Sequence, residues 1–265
     1  MALYDELLSP GGKRSPYEDE PYTLAAGVVI ANYEDENKGM VRVQLEQYDK
    51  EANETQWLPV ASFHAGKEYG AFFLPEVGDE VIVAYLNNNP NAGVVIGSLW
   101  GEKNTMPADA PTEKNSIKKI ITKAGHQLFF DDEESKGGIT VKTKKELTLT
   151  LLDEKEVVTI TDKDGKNLIE MDMQNGKISI KADSEINIEA KKTINIKGSN
   201  AAINIEGKDV SIKGKNVTIE AQMALKEKGQ DVKLEGQQVA ITGQAGAKVE
   251  SSAMLTLKGS MTKIN

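Results

Sequence analysis

The chain of 265 residues carries 41 acidic and 32 basic side chains, a formal net charge of −9, and no cysteine. That balance opposes a protein built to hold nucleic acid or an anionic membrane surface, and the missing thiols exclude disulfides, thiolate catalysis and cysteine-based zinc sites. No apolar run approaches the roughly 18 residues that span a bilayer, and the opening MALYDELLSP lacks the basic and apolar regions of a signal peptide, so synthesis in the cytoplasm is expected.

Residues 1–22, polar and punctuated by proline (SPGGKRSPYEDEP), are expected to form an irregular arm. From 23 to 101 the pattern is short strands broken by turns. AAGVVIANYEDENKGMVRVQLEQY has an apolar run, a polar turn with Asn37 and Gly39, and then alternation through Val41, Val43 and Leu45. QWLPVAS and GAFFLPEVGDEVIVAYL come next, with Pro75 and Gly78 marking a turn before Val81, Val83 and Tyr85, and NNNPNAGVVIGSLW closes the set. Strands at this spacing with no convincing helix predict a small β-barrel.

Residues 102–116 read as a linker with two prolines, Pro107 and Pro111. Residues 117–177 form a strand-rich neck of alternating segments: ITVKT, LTLTLLD, VVTITDKDG and LIEMDMQNG. All eight prolines lie at or before Pro111 and all fourteen aromatic residues at or before Phe130. The chain beyond Phe130 cannot build a core around large rings, yet it keeps every backbone N–H available for a hydrogen-bond ladder.

From 178 to 265 the pattern becomes strict: an aliphatic residue, any residue, an aliphatic residue, a polar residue, then Gly or Ala. ISIKA, INIEA, INIKG, INIEG, VSIKG, VTIEA, VKLEG, VAITG and LTLKG are examples. This segment holds 13 lysines and 10 acidic residues, a net of +3, which leaves −12 for residues 1–177. A repeat of about seven or eight residues is also the length of a coiled-coil heptad. Heptads place apolar residues three and four apart, whereas here they sit two apart and are mostly β-branched, which is a strand period. The Gly or Ala marks a corner with no room for a side chain. Each unit is one short strand and one corner, and stacked units make a β-solenoid shaft.

One unit buries two aliphatic side chains, a gain of roughly 3–6 kcal/mol. Ordering its backbone costs roughly 8–16 kcal/mol before any ladder bonds form. Stacking is therefore compulsory, either by one chain coiling three units per turn or by three chains wrapping one prism. At about 4.8 Å between strands, about eleven units in three chains give a rod of roughly 50 Å, and in one chain a stub of roughly 18 Å. The units look alike and no cap is apparent, which favours three chains.

The stretch GMVRVQL…QWLPVASFHAGKEYGAFFLPEVGDEVIVAYLNNNPNAGVVIGSLW resembles the OB-fold domain of contractile-tail spike proteins, among them the phage baseplate assembly protein V family and the VgrG proteins of type VI secretion. ITKAGHQLFFDD is similar to the strand-turn module that comes after the barrel in those spikes. The resemblance implies an all-β fold, an N-terminal OB-fold barrel followed by an intertwined trimeric β-helix. It implies a structural, non-enzymatic central spike, assembled in the baseplate of a phage tail, tailocin or type VI-like particle, that pierces a target envelope on sheath contraction. The partners it implies are two further copies of the chain, a separate baseplate hub protein at the barrel end and a PAAR-type tip protein at the far end. Contact with the target membrane would be transient. The large N-terminal hub domains of full-length VgrG are not matched. The gap between VVIGSLW and ITKAGHQLFF is too short for the lysozyme domain some members carry.

In that reading the shaft core is Ile186, Ile188, Ile194, Ile196, Ile203, Ile205, Val210, Ile212, Val217 and Ile219, with corners at Gly198, Gly207 and Gly214. No catalytic residue, cofactor or metal is assigned, and no nucleic-acid partner. Aromatic residues Tyr33, Trp57, Phe72 and Tyr85 are of the kind an OB barrel stacks on bases, but the charge of this half opposes phosphate. His64 and His126, the only histidines, have no second histidine nearby and suit structural turns. No histidine comes after His126, so the iron-holding His-x-His apex of some spikes is not expected. DKDGKN (162–167) has calcium-loop character but lacks the distal Glu of such a loop and reads as a hairpin turn. EDENKG and FDDEES read as solvated turns. The competing class is a glycan-binding or glycan-cleaving β-solenoid adhesin, which would need aromatic residues along the shaft.

Overall fold

The structure, a computed structural model, describes residues 24–46, 54–86, 89 and 91–263. The expected arm at 1–22 lies outside the described residues. The chain divides into two compact units, Met1–Glu189 and Ala190–Asn265.

The first unit opens with β1 (Leu24–Ala31), a single 3₁₀ turn at Asp35–Asn37, β2 (Met40–Leu45) and β3 (Leu58–Pro59). A small hairpin, β4 (Ala65–Gly66) and β5 (Tyr69–Gly70), precedes β6 (Glu80–Tyr85) and β7 (Gly93–Leu99). The main strands pair in the order β3-β2-β1-β6-β7. A parallel bridge between Val60 and Val95, with the Ala61 amide donating to the Val95 carbonyl at 2.7 Å, brings the two ends of this curled sheet together. That cyclic order is the Greek-key arrangement of an OB-type barrel.

Alternation builds its core. Ala25 and Val29, Val41, Val43 and Leu45, Leu58, Val81, Val83 and Tyr85, and Val95 are buried together, while the residues between them face outward. Gly39 supplies the left-handed backbone (φ 81°) that turns the chain into β2. Gly27 lets β1 and β2 approach closely, because a Cβ there would stand 2.6 Å from the Gln44 carbonyl oxygen.

Seven further strands complete this unit: β8 (Ile117–Ile121), β9 (Gln127–Asp131), β10 (Gly138–Lys142), β11 (Thr148–Leu152), β12 (Val157–Thr161), β13 (Leu168–Asp172) and β14 (Lys177–Lys181). They form one antiparallel meander in which each strand pairs only with its neighbours in sequence. Between barrel and meander, the segment from Gly101 to Ser116 is tied down at several points. Asn104 Nδ2 donates to the Gly78 carbonyl at 3.2 Å and Lys119 pairs with Asp109, while outside the segment Lys123 Nζ bonds Glu76 Oε2 at 2.9 Å.

In the second unit, every described residue is exposed and none lies in a strand or helix. Among the described residues, none from 184 to 263 joins a strand ladder. This segment nevertheless contains the most regular β-pattern of the whole sequence.

Candidate assembly surface

The meander has one face that is apolar almost throughout and one that mixes polar with apolar side chains, among them Phe129, Leu152, Val157 and Leu168. Residues directly opposite one another in an antiparallel pair share a face, so the register can be read across all seven strands. Ile120 faces Leu128, Phe130 faces Ile139, Leu128 faces Val141, and Ile139 and Val141 face Leu151 and Leu149. The row continues through Val158 and Ile160, Ile169 and Met171, to Ile178 and Ile180. Apart from Lys118 at its edge, this face is an unbroken stripe two apolar residues wide. The opposite face carries Thr140, Thr150, Thr159, Glu170 and Ser179, and the Thr150 and Thr159 hydroxyls hydrogen-bond each other there. The stripe is uncovered: Ile160 is 51% and Ile178 67% exposed. Contiguous exposed apolar surface of this kind marks an interaction face.

The shaft residues read from sequence continue the same two-residue beat. First members of the pairs, Ile186, Ile194, Ile203, Val210 and Val217, are 50–56% exposed, and second members, Ile188, Ile196, Ile205, Ile212 and Ile219, are 63–71% exposed. Within one chain these side chains meet no common core. The corner glycines are not crowded by their own chain to equal degrees. A Cβ at Gly198 would meet the Ala201 carbonyl oxygen at 3.0 Å, one at Gly214 the Asn216 oxygen at 3.2 Å, and one at Gly207 the Asp209 oxygen at an ordinary 3.6 Å.

A second apolar feature, not evident as a surface from sequence, stands at the barrel end of the stripe. The loop bearing the β4–β5 hairpin displays Phe63 (87% exposed) and Phe72 (77%), beside Trp100. With Tyr69, Lys119 and Ile120 they line an open cleft of about 840 Å³. Ser62 Oγ donates to the Ala71 carbonyl at 2.7 Å and closes the base of this loop, and the His64 ring lies 5.6 Å from that of Tyr69. Phe72, named from sequence among the rings of the kind an OB barrel stacks on bases, stands on this loop and faces outward.

The polar groups around these surfaces hold turns and junctions. The Lys119 side chain is 7% exposed, lies 4.7 Å from the Phe129 ring centroid and pairs with Asp109. That hydrogen bond holds the Asp109 carboxyl below its usual range. His126 Nδ1 accepts the Lys144 amide at 3.3 Å. DKDGKN is the β12–β13 turn. Its Asp162 carboxylate is held low by the Asn167 side-chain donor, with further help from the Lys166 amide at 2.9 Å and the Asn167 amide at 3.1 Å. Among the described residues no three His, Asp or Glu side chains gather as a metal would require, and no helix is long and apolar enough to cross a membrane.

Residues 25–100 match the family of the type VI secretion system/phage-baseplate injector OB domain. The type VI secretion system spike protein VgrG3 of Vibrio cholerae serotype O1 is 30% identical over 120 residues, 42% of this chain and 12% of that protein. Spike proteins VgrG5 and VgrG1a of Pseudomonas aeruginosa are 32% identical over 99 residues and 29% over 90, covering 36% and 32% of this chain. The chain thus aligns with only 12–14% of the length of these relatives. The barrel order, its buried alternation and these matches agree: residues 25–100 are similar to the injector OB domain of type VI secretion and phage-baseplate spikes.

Proposed function

We propose that the chain is the structural central spike of a contractile injection particle. Three copies wind their repeats into one rigid shaft, which sheath contraction drives through a target envelope. The observation that carries this reading is the shaft itself: regularly spaced aliphatic pairs, all exposed, on a backbone that joins no strand ladder among its described residues. Unpaired backbone and exposed β-branched pairs cannot persist together in water as a folded state. A single chain coiled on itself would have paired its own repeats, whereas the partners needed here are identical strands from other copies.

Three copies around one axis would turn the stripe from Ile120 to Ile180 and the pairs from Ile186 to Ile219 into one continuous dry interior. Gly198, Gly207 and Gly214 would be the corners where neighbouring backbones come close. The shaft has no reacting group to position, and stiffness is the property its chemistry supplies. A baseplate hub would take the barrel end and a tip protein the far end of the repeats. Light-scattering mass combined with a sedimentation shape factor tests the proposal. An elongated particle of three chains is expected, and a compact monomer near 29 kDa would overturn it.

A further inference from the structure

Pairing in the meander sorts its turns onto two flanks. Turns 122–126, 143–147 and 162–167 lie at one end of the strands, and turns 132–137, 153–156 and 173–176 at the other. The first two turns on each flank differ sharply in charge. On the first flank they hold three lysines, Lys123, Lys144 and Lys145, and one carboxylate, Glu146. On the second they hold six carboxylates and two lysines.

Contacts within the chain leave the imbalance in place. Glu146 is already bound by Lys142 at 2.8 Å and by Lys163 at 3.5 Å, and Lys123 by Glu76. The side chains of Lys144 and Lys145 form no ion pair among the described residues, and both are exposed. On the other flank Glu133 pairs with Lys136 at 3.7 Å. Glu134, Asp153, Glu154 and Glu156 are exposed, and none forms an ion pair among the described residues.

We infer that these flanks are the two halves of one interface, which docks the lysine flank of one copy on the carboxylate flank of the next. The inference rests on the assembly proposed above and adds which edges of the copies meet. Cyclic closure about the direction in which strands stack joins unlike edges, in a heterologous contact repeated at every junction. Such closure has no rise, so all copies stand at the same height. The turn carrying Lys144 and Lys145 then falls between the neighbour's turns carrying Glu134 and Glu154, about 4.8 Å from each level. Charge pairs of this kind steer encounter, and select unlike edges over like ones, more than they add affinity.

Four proteins test the inference: wild type, K144E/K145E, E134K/E154K, and the chain carrying all four changes. The readout is the temperature at which the assembly dissociates, followed by light scattering at low salt and at about 1 M NaCl, where the screening length is about 3 Å. Each double variant should dissociate several degrees below wild type at low salt, with the gap at least halved at high salt. The fourfold chain should return to within about 2 °C of wild type, because every junction regains opposite charges. If a double variant assembles only in high salt, recovery by the fourfold chain at low salt still decides the matter. Double variants as stable as wild type, or a fourfold chain no better than either, would overturn the inference while leaving the trimer intact. A monomeric wild type would instead overturn the proposed assembly, and the inference with it.

Discussion

At the scale of single residues, the informative side chains are those whose surroundings do not suit them. Ile196 is 71% exposed, so in an isolated chain an aspartate there would change stability by no more than about 0.5 kcal/mol. In a three-chain shaft the same change places three carboxylates on the axis. Ile196→Asp should therefore abolish the trimer, as size-exclusion chromatography with light scattering would show, and assembly with wild-type heat resistance would refute the inward assignment. Lys119 is the reverse case, a nearly buried ammonium held by Asp109 and the Phe129 ring. Asp109→Asn should lower the melting temperature of the first unit by about 2–4 °C at neutral pH, measured by circular dichroism. Because the Asp109 carboxyl is held below its ordinary 3.8, the pair stabilises fully above that pH and is lost as pH falls through the lowered value. The wild-type advantage over D109N should accordingly vanish in acid.

The meander sheet is the element on which assembly turns, because its two faces demand different neighbours. Ile160 sits in the stripe opposite Leu149 and Ile169, and Thr159 beside it points to the other face opposite Thr150 and Glu170. Ile160→Lys should prevent trimer formation, while Thr159→Lys should leave the oligomeric mass unchanged; equal effects of the two would remove the case for sidedness. This sidedness is only partly legible in the sequence. The barrel is legible because Val41, Val43 and Leu45, or Val81, Val83 and Tyr85, alternate strictly with residues that stay outside. The repeats are legible because their aliphatic residues stand two apart without exception across INIEA, INIKG and INIEG. In the neck, Phe129–Phe130, Leu151–Leu152 and Val157–Val158 put apolar side chains on both faces, and the period blurs. The aromatic loop is hidden for another reason. Phe63 and Phe72 have core composition but lie on a loop whose path alone exposes them. Flank charge is not legible at all, since a turn has no side until its strands are paired.

For the whole molecule, the buried core among the described residues lies in the barrel, and in the proposed assembly other copies complete the rest. Amide hydrogen exchange followed by mass spectrometry should find residues 184–263 strongly protected in the assembled particle and exchanging freely in Ile196→Asp, while barrel amides such as those of β1 and β6 stay protected in both. Free exchange of the repeats in the intact particle would rule out an inter-chain ladder. The pairing order of the meander has a further consequence, for the path of assembly. Repeats as alike as these tolerate a slip by one unit with every aliphatic residue still facing inward, so on their own they define no unique phase. The meander joins only consecutive strands, through turns of four to six residues. Hairpins of that kind close within microseconds and need no distant contact. In the proposed assembly the sheet would therefore be in place before the repeats begin to wind, and three sheets at one height would set a common zero from which identical threads are counted.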